Sequence, residues 1–89
     1  MAINDTLKAI YDPVRRDILS MLKNGRMSAG EIGEKFNLTG ATVSYHLAKL
    51  KKADLVSEEK YKNFVYYSLN ASVFEEVLAW IYNIGGVEK

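Results

Sequence analysis

The chain of 89 residues contains no cysteine, one proline, one histidine and one tryptophan. Without cysteine there are no disulfides and no thiolate metal ligands, two of the usual supports of a small domain. The same lack fits a cytoplasmic protein. One histidine, with neither thiolates nor clustered carboxylates around it, cannot build a metal site. No apolar run approaches the ~20 residues that a membrane span needs. The longest candidate, Val73–Ile84, is broken by Glu75, Glu76 and Asn83. The opening Met1-Ala2-Ile3-Asn4-Asp5 has neither the basic nor the apolar region of a signal peptide. A large charge of one sign is also missing: the net charge is +1.

With 48% hydrophobic and 26% charged residues, the composition is that of a globular protein, and the length suits a single domain over 1–89. A chain this short buries only about 60–65% of its unfolded surface, so association with another subunit is the remaining route to stability. The charge is unevenly spread. Residues 39–64 carry five lysines against three acids, and residues 65–89 one lysine against three glutamates. A mildly basic middle followed by an acidic end is a weak sign of a polyanionic partner.

The periodicity predicts four helices, a hairpin and a fifth helix. Asn4 or Asp5 can cap a first helix carrying Ile3, Leu7, Ile10 and Tyr11. Asp12 suits an N-cap and Pro13 the first helical position, where a missing N–H costs nothing. The stripe Val14, Ile18, Leu19, Met21 and Leu22 follows, closed by Gly25. Ser28-Ala29-Gly30-Glu31 reads as a capping box, opening a short helix with Ile32 and Phe36 inward. After the turn Asn37-Leu38-Thr39, Val43, Leu47 and Leu50 recur at helical spacing. From Leu55 the period changes. Leu55–Glu58 and Phe64–Leu69 read as strands joined by a polar turn at Lys60–Asn63. Asn70 can cap a last helix over Ala71–Ile84, with Gly85-Gly86 ending it.

Two helices of about 29–36 and 40–53 joined by three residues suit a helix-turn-helix, and the following hairpin makes it winged. The expected fold is therefore mainly α with a small β-hairpin, in the order α-α-α-α-β-β-α. On a helical wheel, the side opposite Val43, Leu47 and Leu50 holds Ala41, Tyr45, Ala48 and Lys52, flanked by Thr42, Ser44 and Lys49. Small residues let the backbone approach a DNA groove, hydroxyls bond base edges, and lysine reaches guanine or phosphate. Thr39 would cap this reading helix. Thr42, Ser44, Tyr45 and His46 would face bases or nearby phosphates, with Lys49 on phosphate. Lys60, Lys62 and Asn63 would add a contact from the wing. His46 lies beside the apolar stripe, where it can either contact DNA or bond a backbone carbonyl at the edge of the core. Arg15 and Arg16 can reach phosphate or pair with an acid, and at least one is read as structural.

The terminal helices have more apolar surface than one small core absorbs. Val73, Phe74, Val77, Leu78, Trp80, Ile81 and Ile84 cover an arc wider than the ~100° that faces a single core. Phe74, Val77, Leu78, Trp80, Ile81 and Ile84, with Leu7, Ile10 and Tyr11, are the expected homodimer interface, because monomers rarely expose large apolar patches. Two-fold symmetry would set two reading helices about 34 Å apart, one turn of DNA, and call for a palindromic operator.

These motifs resemble a known family. Asp12-Pro13-Val14-Arg15-Arg16-Asp17-Ile18-Leu19 is similar to the D-P-x-R-x-x-I-L opening of ArsR-type winged-helix repressors. Thr42-Val43-Ser44-Tyr45-His46-Leu47 with Leu50 resembles that family's T-V-S-x-H-L-x-x-L reading helix, and Phe64–Leu69 its Tyr-rich wing strand. The wing and the Trp80 helix look most like the sporulation-delay autorepressor subgroup. The resemblance implies a homodimeric transcriptional repressor of double-stranded DNA. Many members release DNA on binding metal, through cysteines in the helix before the reading helix or Asp and His in the last helix. Here the first place reads Glu31-Ile32-Gly33-Glu34-Lys35-Phe36 and the last helix has no histidine, so neither sensor nor any cofactor is expected. In the subgroup, release depends on a membrane-bound protein that sequesters the repressor.

Two rival classes remain. One is a winged-helix protein-interaction module that binds no DNA, which differs in having no salt-dependent binding to duplex. The other is an enzyme. Nothing pairs His46 with a nucleophile, and the glutamates at 31/34, 58/59 and 75/76 fall on outer faces or turns, so no catalytic set is expected.

Overall fold

A computed structural model describes residues 3–85. Eight elements follow one another: α1 (Ile3–Tyr11), α2 (Pro13–Leu22), β1 (Met27–Ser28), α3 (Ala29–Phe36), α4 (Gly40–Lys52), β2 (Val56–Tyr61), β3 (Phe64–Leu69) and α5 (Ala71–Gly85). The expected winged order is present with one addition. The two-residue strand β1 pairs antiparallel with β3, Met27 opposite Tyr67 and Ser28 opposite Tyr66, giving a sheet in the order β1-β3-β2. The hairpin is also longer than expected: β2 starts at Val56 and continues through Tyr61, so only Lys62 and Asn63 form the turn. Lys62 takes φ of +56°, the left-handed conformation that tight hairpin turns demand. Of the expected end of the last helix, Gly85 closes α5 and Gly86 lies outside the described residues.

Local chemistry fixes the helix ends. Asp12 accepts from the Arg15 amide at 3.1 Å and Pro13 opens α2. Ser28 and Glu31 form the capping box, with Glu31 N–H donating to Ser28 Oγ at 3.2 Å and Ser28 N–H to Glu31 Oε1 at 2.8 Å. Asn70 stands directly before α5, but its side chain serves differently from a simple cap. Its amide NH2 donates to the Asp54 carbonyl, and its Oδ1 accepts from the Ser72 hydroxyl. The cap expected at Asn4 or Asp5 is absent, because α1 already begins at Ile3.

The core lies where α2, α3, α4 and the sheet meet. Ile18, Ile32, Leu50 and Leu55 are fully buried, with Leu22, Val43, Leu47, Val56 and Val73 around them. The apolar stripe expected on α4 is thus inside, as are Ile18, Leu19 and Leu22 of the α2 stripe, whereas Val14 and Met21 are half-buried. α1 behaves otherwise. Its buried residues are Thr6 and Ala9, while Leu7 is exposed and Tyr11 is 85% exposed. The small pair lets α1 sit close to α4, and Thr6 Oγ1 donates to the Ala53 carbonyl at 3.4 Å.

Both arginines after Pro13 act on α1. The last four carbonyls of a helix have no intrahelical donor. Here those four are taken in turn: Arg15 donates to Lys8 and Ala9 at 3.3 and 2.8 Å, and Arg16 to Ile10 and Tyr11, both at 2.8 Å. Arg15 is 9% exposed and also reaches His46 Nδ1 at 3.2 Å, so one guanidinium ties α1, α2 and α4 together.

Replacing Arg15 by Met should leave buried acceptors on α1 and His46 unpaired and cost about 2–3 kcal/mol in urea denaturation at fixed protein concentration. Arg15→Lys should recover little, since an ammonium cannot reproduce the planar fork. Exposed Arg16→Ala should cost under about 1 kcal/mol; equal losses at the two positions would exclude the ranking. Asp12 gives a pH signature. The hydrogen bond from the Arg15 amide holds its carboxyl below the usual range, helped by the Arg15 charge and opposed by desolvation. A carboxyl with a depressed folded-state value stabilises the fold above its unfolded value and loses that contribution as pH falls through the folded one. Below roughly pH 4 the wild type should therefore lose stability more steeply than Asp12→Asn, measured as the denaturation midpoint across pH.

Candidate nucleic-acid interface

The turn between α3 and α4 is set by three residues. Asn37 ends α3 in the left-handed conformation, φ 55° and ψ 49°, and the Leu38 amide returns to the Gly33 carbonyl at 2.9 Å. Gly33 is where the two helices meet closely. A Cβ there would stand 3.3 Å from both the Leu38 carbonyl oxygen and Val43 Cγ2, tighter than ordinary contact. Thr39 caps α4, its hydroxyl accepting from the Thr42 amide at 3.2 Å. The same hydroxyl donates to Thr42 Oγ1 at 3.0 Å, which leaves the Thr42 O–H as a donor for an outside acceptor.

The exposed face of α4 divides into two flanks. On the α3 side, Ser44 lines a groove of about 490 Å³ with Gly30, Gly33, Asn37 and Gly40. On the α1 side, Tyr45 is 57% exposed with the Lys49 ammonium 5.6 Å from its ring centroid. Ala41 and Ala48, both exposed, keep the space between these flanks low. The expected outer residues Thr42, Ser44, Tyr45 and Lys49 are therefore brought onto one helix, partly or fully exposed.

His46 does not join them. It is 8% exposed, its ring lies edge-on to Tyr45 at 5.4 Å, and its Nδ1 faces Arg15. A guanidinium only donates, so in this contact Nδ1 is the acceptor. The groove contact considered for His46 gives way to the inward alternative, with a guanidinium in place of the carbonyl partner. On the wheel His46 falls just beyond Leu50, at the margin of the stripe and on the side of buried Ala53, so the helical repeat alone leaves its direction open and the contact with Arg15 sets it.

The wing residues separate. Lys62 and Asn63 occupy the tip, and the Lys62 ammonium lies 5.5 Å from the Tyr61 ring centroid. Lys60 is not in the turn but within β2, opposite Val65. Strand alternation puts it on the face of Glu58, whose carboxylate binds Lys51 of α4 at 2.8 Å. That bond holds the Lys51 ammonium above its usual value and tethers the wing to α4. The other face of the wing has a support that sequence reasoning missed. Arg26 lies 4.4 Å over the Tyr66 ring, 5.7 Å over Tyr61, and bonds Glu59 at 3.2 Å. The pairing of a residue near β1 with residues about 35–40 positions later leaves no local pattern to read.

Leu78, Trp80, Ile81 and Ile84 of α5 are exposed, as are Leu7 and Tyr11 of α1. Ile10 and Phe74 are half-buried against the core, and Val77 is buried within its own protomer, which removes it from the surface expected for a partner. No helix among the described residues is long and apolar enough to cross a membrane, and no three His, Cys, Asp or Glu side chains converge there.

Comparison with known proteins agrees with this arrangement. A helix-turn-helix domain model matches residues 10–59. The transcriptional repressor SdpR of Bacillus subtilis (strain 168) is 44% identical over 81 residues, covering 91% of this chain and 90% of that protein. The structure of HlyU from Vibrio cholerae N16961 superposes with a TM-score of 0.76 at 28% identity, over 92% of this chain and 89% of that one. An ArsR-like transcriptional regulator from Rhodococcus sp. RHA1 gives a TM-score of 0.85 at 20% identity, over 93% and 78% of the two chains, a likeness of fold. With the winged order, the capped reading helix and a relative matched along nearly its whole length, the chain belongs to the ArsR-type winged helix-turn-helix family.

Proposed function

We propose that this chain is a sequence-specific DNA-binding transcriptional repressor that acts as a homodimer on a palindromic operator. The observation that carries the reading is the outer face of α4, where Thr42, Ser44, Tyr45 and Lys49 surround two exposed alanines on a helix capped by Thr39. Low side chains let the helix axis approach the groove floor, and the capped N-terminal turn is the part of such a helix that meets bases. Thr42 donates, Ser44 donates or accepts, and Tyr45 and Lys49 reach the groove edge. Lys62 and Asn63 extend from the wing tip, with Lys60 behind them on the strand. A DNA-binding regulator, not an enzyme, also fits relatives named as transcriptional regulators, among them a repressor at 44% identity.

The dimer is supported by Trp80, Ile81, Leu78 and Ile84 on α5 and by Leu7 and Tyr11 on α1, apolar side chains that one protomer leaves in solvent. In this reading the protein works in the cytoplasm on its own promoter and needs no metal. Release by a sequestering membrane-bound protein rests on the family resemblance alone.

Selection of genomic fragments by the purified protein should return an inverted repeat whose half-sites lie about 10 base pairs apart, centre to centre. Failure to enrich any duplex at low salt would return the fold to the interaction-module reading. Tyr45→Ala with Lys49→Ala should weaken operator binding about tenfold to a hundredfold without changing the circular dichroism spectrum. Undiminished affinity would sink the α4 assignment. Trp80→Asp with Ile81→Asp touches no core residue and should convert the dimer to monomer in sedimentation equilibrium; a surviving dimer would move the interface elsewhere.

A further inference from the structure

On the α1 side of the reading helix lies a cleft of about 150 Å³, lined by Asp5, Lys8, Ala9, Arg15, Tyr45, Lys49 and Lys52. Three lysines from two helices line it. Lys49 and Lys52 stand one turn apart on α4, on one face. Lys8 comes from α1, and its backbone is pinned because its carbonyl accepts from Arg15. Among the described residues none of the three enters an ion pair, whereas Lys51, their neighbour on α4, is bound to Glu58. The buried Arg15 guanidinium forms the floor. Its hydrogen bonds go to the Lys8 and Ala9 carbonyls and to His46, so it supplies field more than contact. Asp5 is the one acid on the wall. Like charges at this spacing repel in the free protein, and their arrangement is stabilised by an anion.

We infer that this cleft seats a phosphate of the DNA backbone, with Lys8 and Lys52 as its previously unassigned ligands beside Lys49. The inference rests on the DNA-binding reading and adds to it a contact from α1, an element outside the helix-turn-helix. Tyr45 and Lys49 belong both to the cleft and to the outer face of α4. A helix lying in the major groove has a sugar–phosphate strand along its flank, so the cleft opens where such a strand would run. Lys8 and Lys52 then fix position on the duplex and carry no sequence information.

The test is the salt dependence of binding. Lys8→Ala with Lys52→Ala should weaken binding to operator and to unrelated duplex about equally, by roughly tenfold at low salt. The slope of log affinity against log salt should become shallower by up to about 0.9 per protomer, the value for one phosphate contact. Lys8→Arg with Lys52→Arg should keep the slope, and Asp5→Asn should tighten binding to both duplexes. These side chains are exposed or half-exposed, and thermal melting serves as the control for folding. If the wild type binds duplex while the double alanine variant keeps its affinity and slope, the inference is overturned and the DNA reading stands. Loss confined to the operator with an unchanged slope would also overturn it. Wild-type protein that binds no duplex at low salt would overturn both. Inorganic phosphate titrated into the DNA-free protein should give no saturable binding; saturable binding abolished by the double variant would reassign the cleft to a free anion.

Discussion

The Arg15 guanidinium is the constraint on which the position of the reading helix depends. It is buried, it starts from α2, and it donates to the end of α1 and to the only histidine, on α4. A cation in this position would be costly without partners, because removing it from water is repaid only by well-placed acceptors. The carbonyls at a helix C-terminus are suitable ones: they carry the negative end of the helix dipole and have no intrahelical donors. The arrangement therefore satisfies two needs together, ending α1 and neutralising Arg15. Its third bond fixes the rotation of α4. With His46 turned inward to meet Arg15, Tyr45 and Lys49 are turned outward by the helical repeat.

The other determinant of α4 is the approach of α3. Gly33 permits close contact with Val43, and Asn37 reverses the chain in the left-handed region, which its short polar side chain tolerates better than most. Thr39 then begins α4 at once. From these three positions and the Arg15–His46 bond, the outer face is held by rigid elements at its start and along its length. The wing is anchored separately on its two faces, by Lys51–Glu58 toward α4 and by Arg26 stacked on Tyr66 and Tyr61 toward β1. Preorganisation of this kind lowers the ordering cost of binding.

What the sequence reveals and what it conceals differ by range. The α3-turn-α4 unit is legible almost to the residue, since a capping box, a left-handed asparagine and a threonine cap are local signals. The stripe Val43, Leu47, Leu50 is equally plain. β1 is not legible, because Met27 and Ser28 become a strand only through Tyr66 and Tyr67. The targets of Arg15 and Arg16 are backbone oxygens, which every residue has, so no side-chain pattern marks them. The inward face of α1 is not legible for a related reason. Close packing against α4 selects Thr6 and Ala9, small and unremarkable in sequence, over the more hydrophobic Leu7 and Tyr11. His46 sits where a wheel cannot decide, and its single bond to Arg15 decides it. In the candidate interface, the α4 residues other than His46 come from periodicity, whereas the contribution of α1 to the cleft depends on tertiary placement.

The last helix links folding to association. Of α5, Val73 and Val77 are buried and Phe74 is half-buried, all in its first half; from Leu78 to Gly85 every residue is exposed in the protomer. Isolated helices shorter than about 12–15 residues are marginal in water, and most helical stability in proteins comes from packing of an apolar face. The second half of α5 is shorter than that and has no buried residue in the protomer. Its apolar side chains would therefore contribute most when a second surface covers them. In a homodimer built on this surface, the spacing of the two α4 helices is set by how the α5 faces meet. The operator's symmetry would then be a consequence of how the last helix packs.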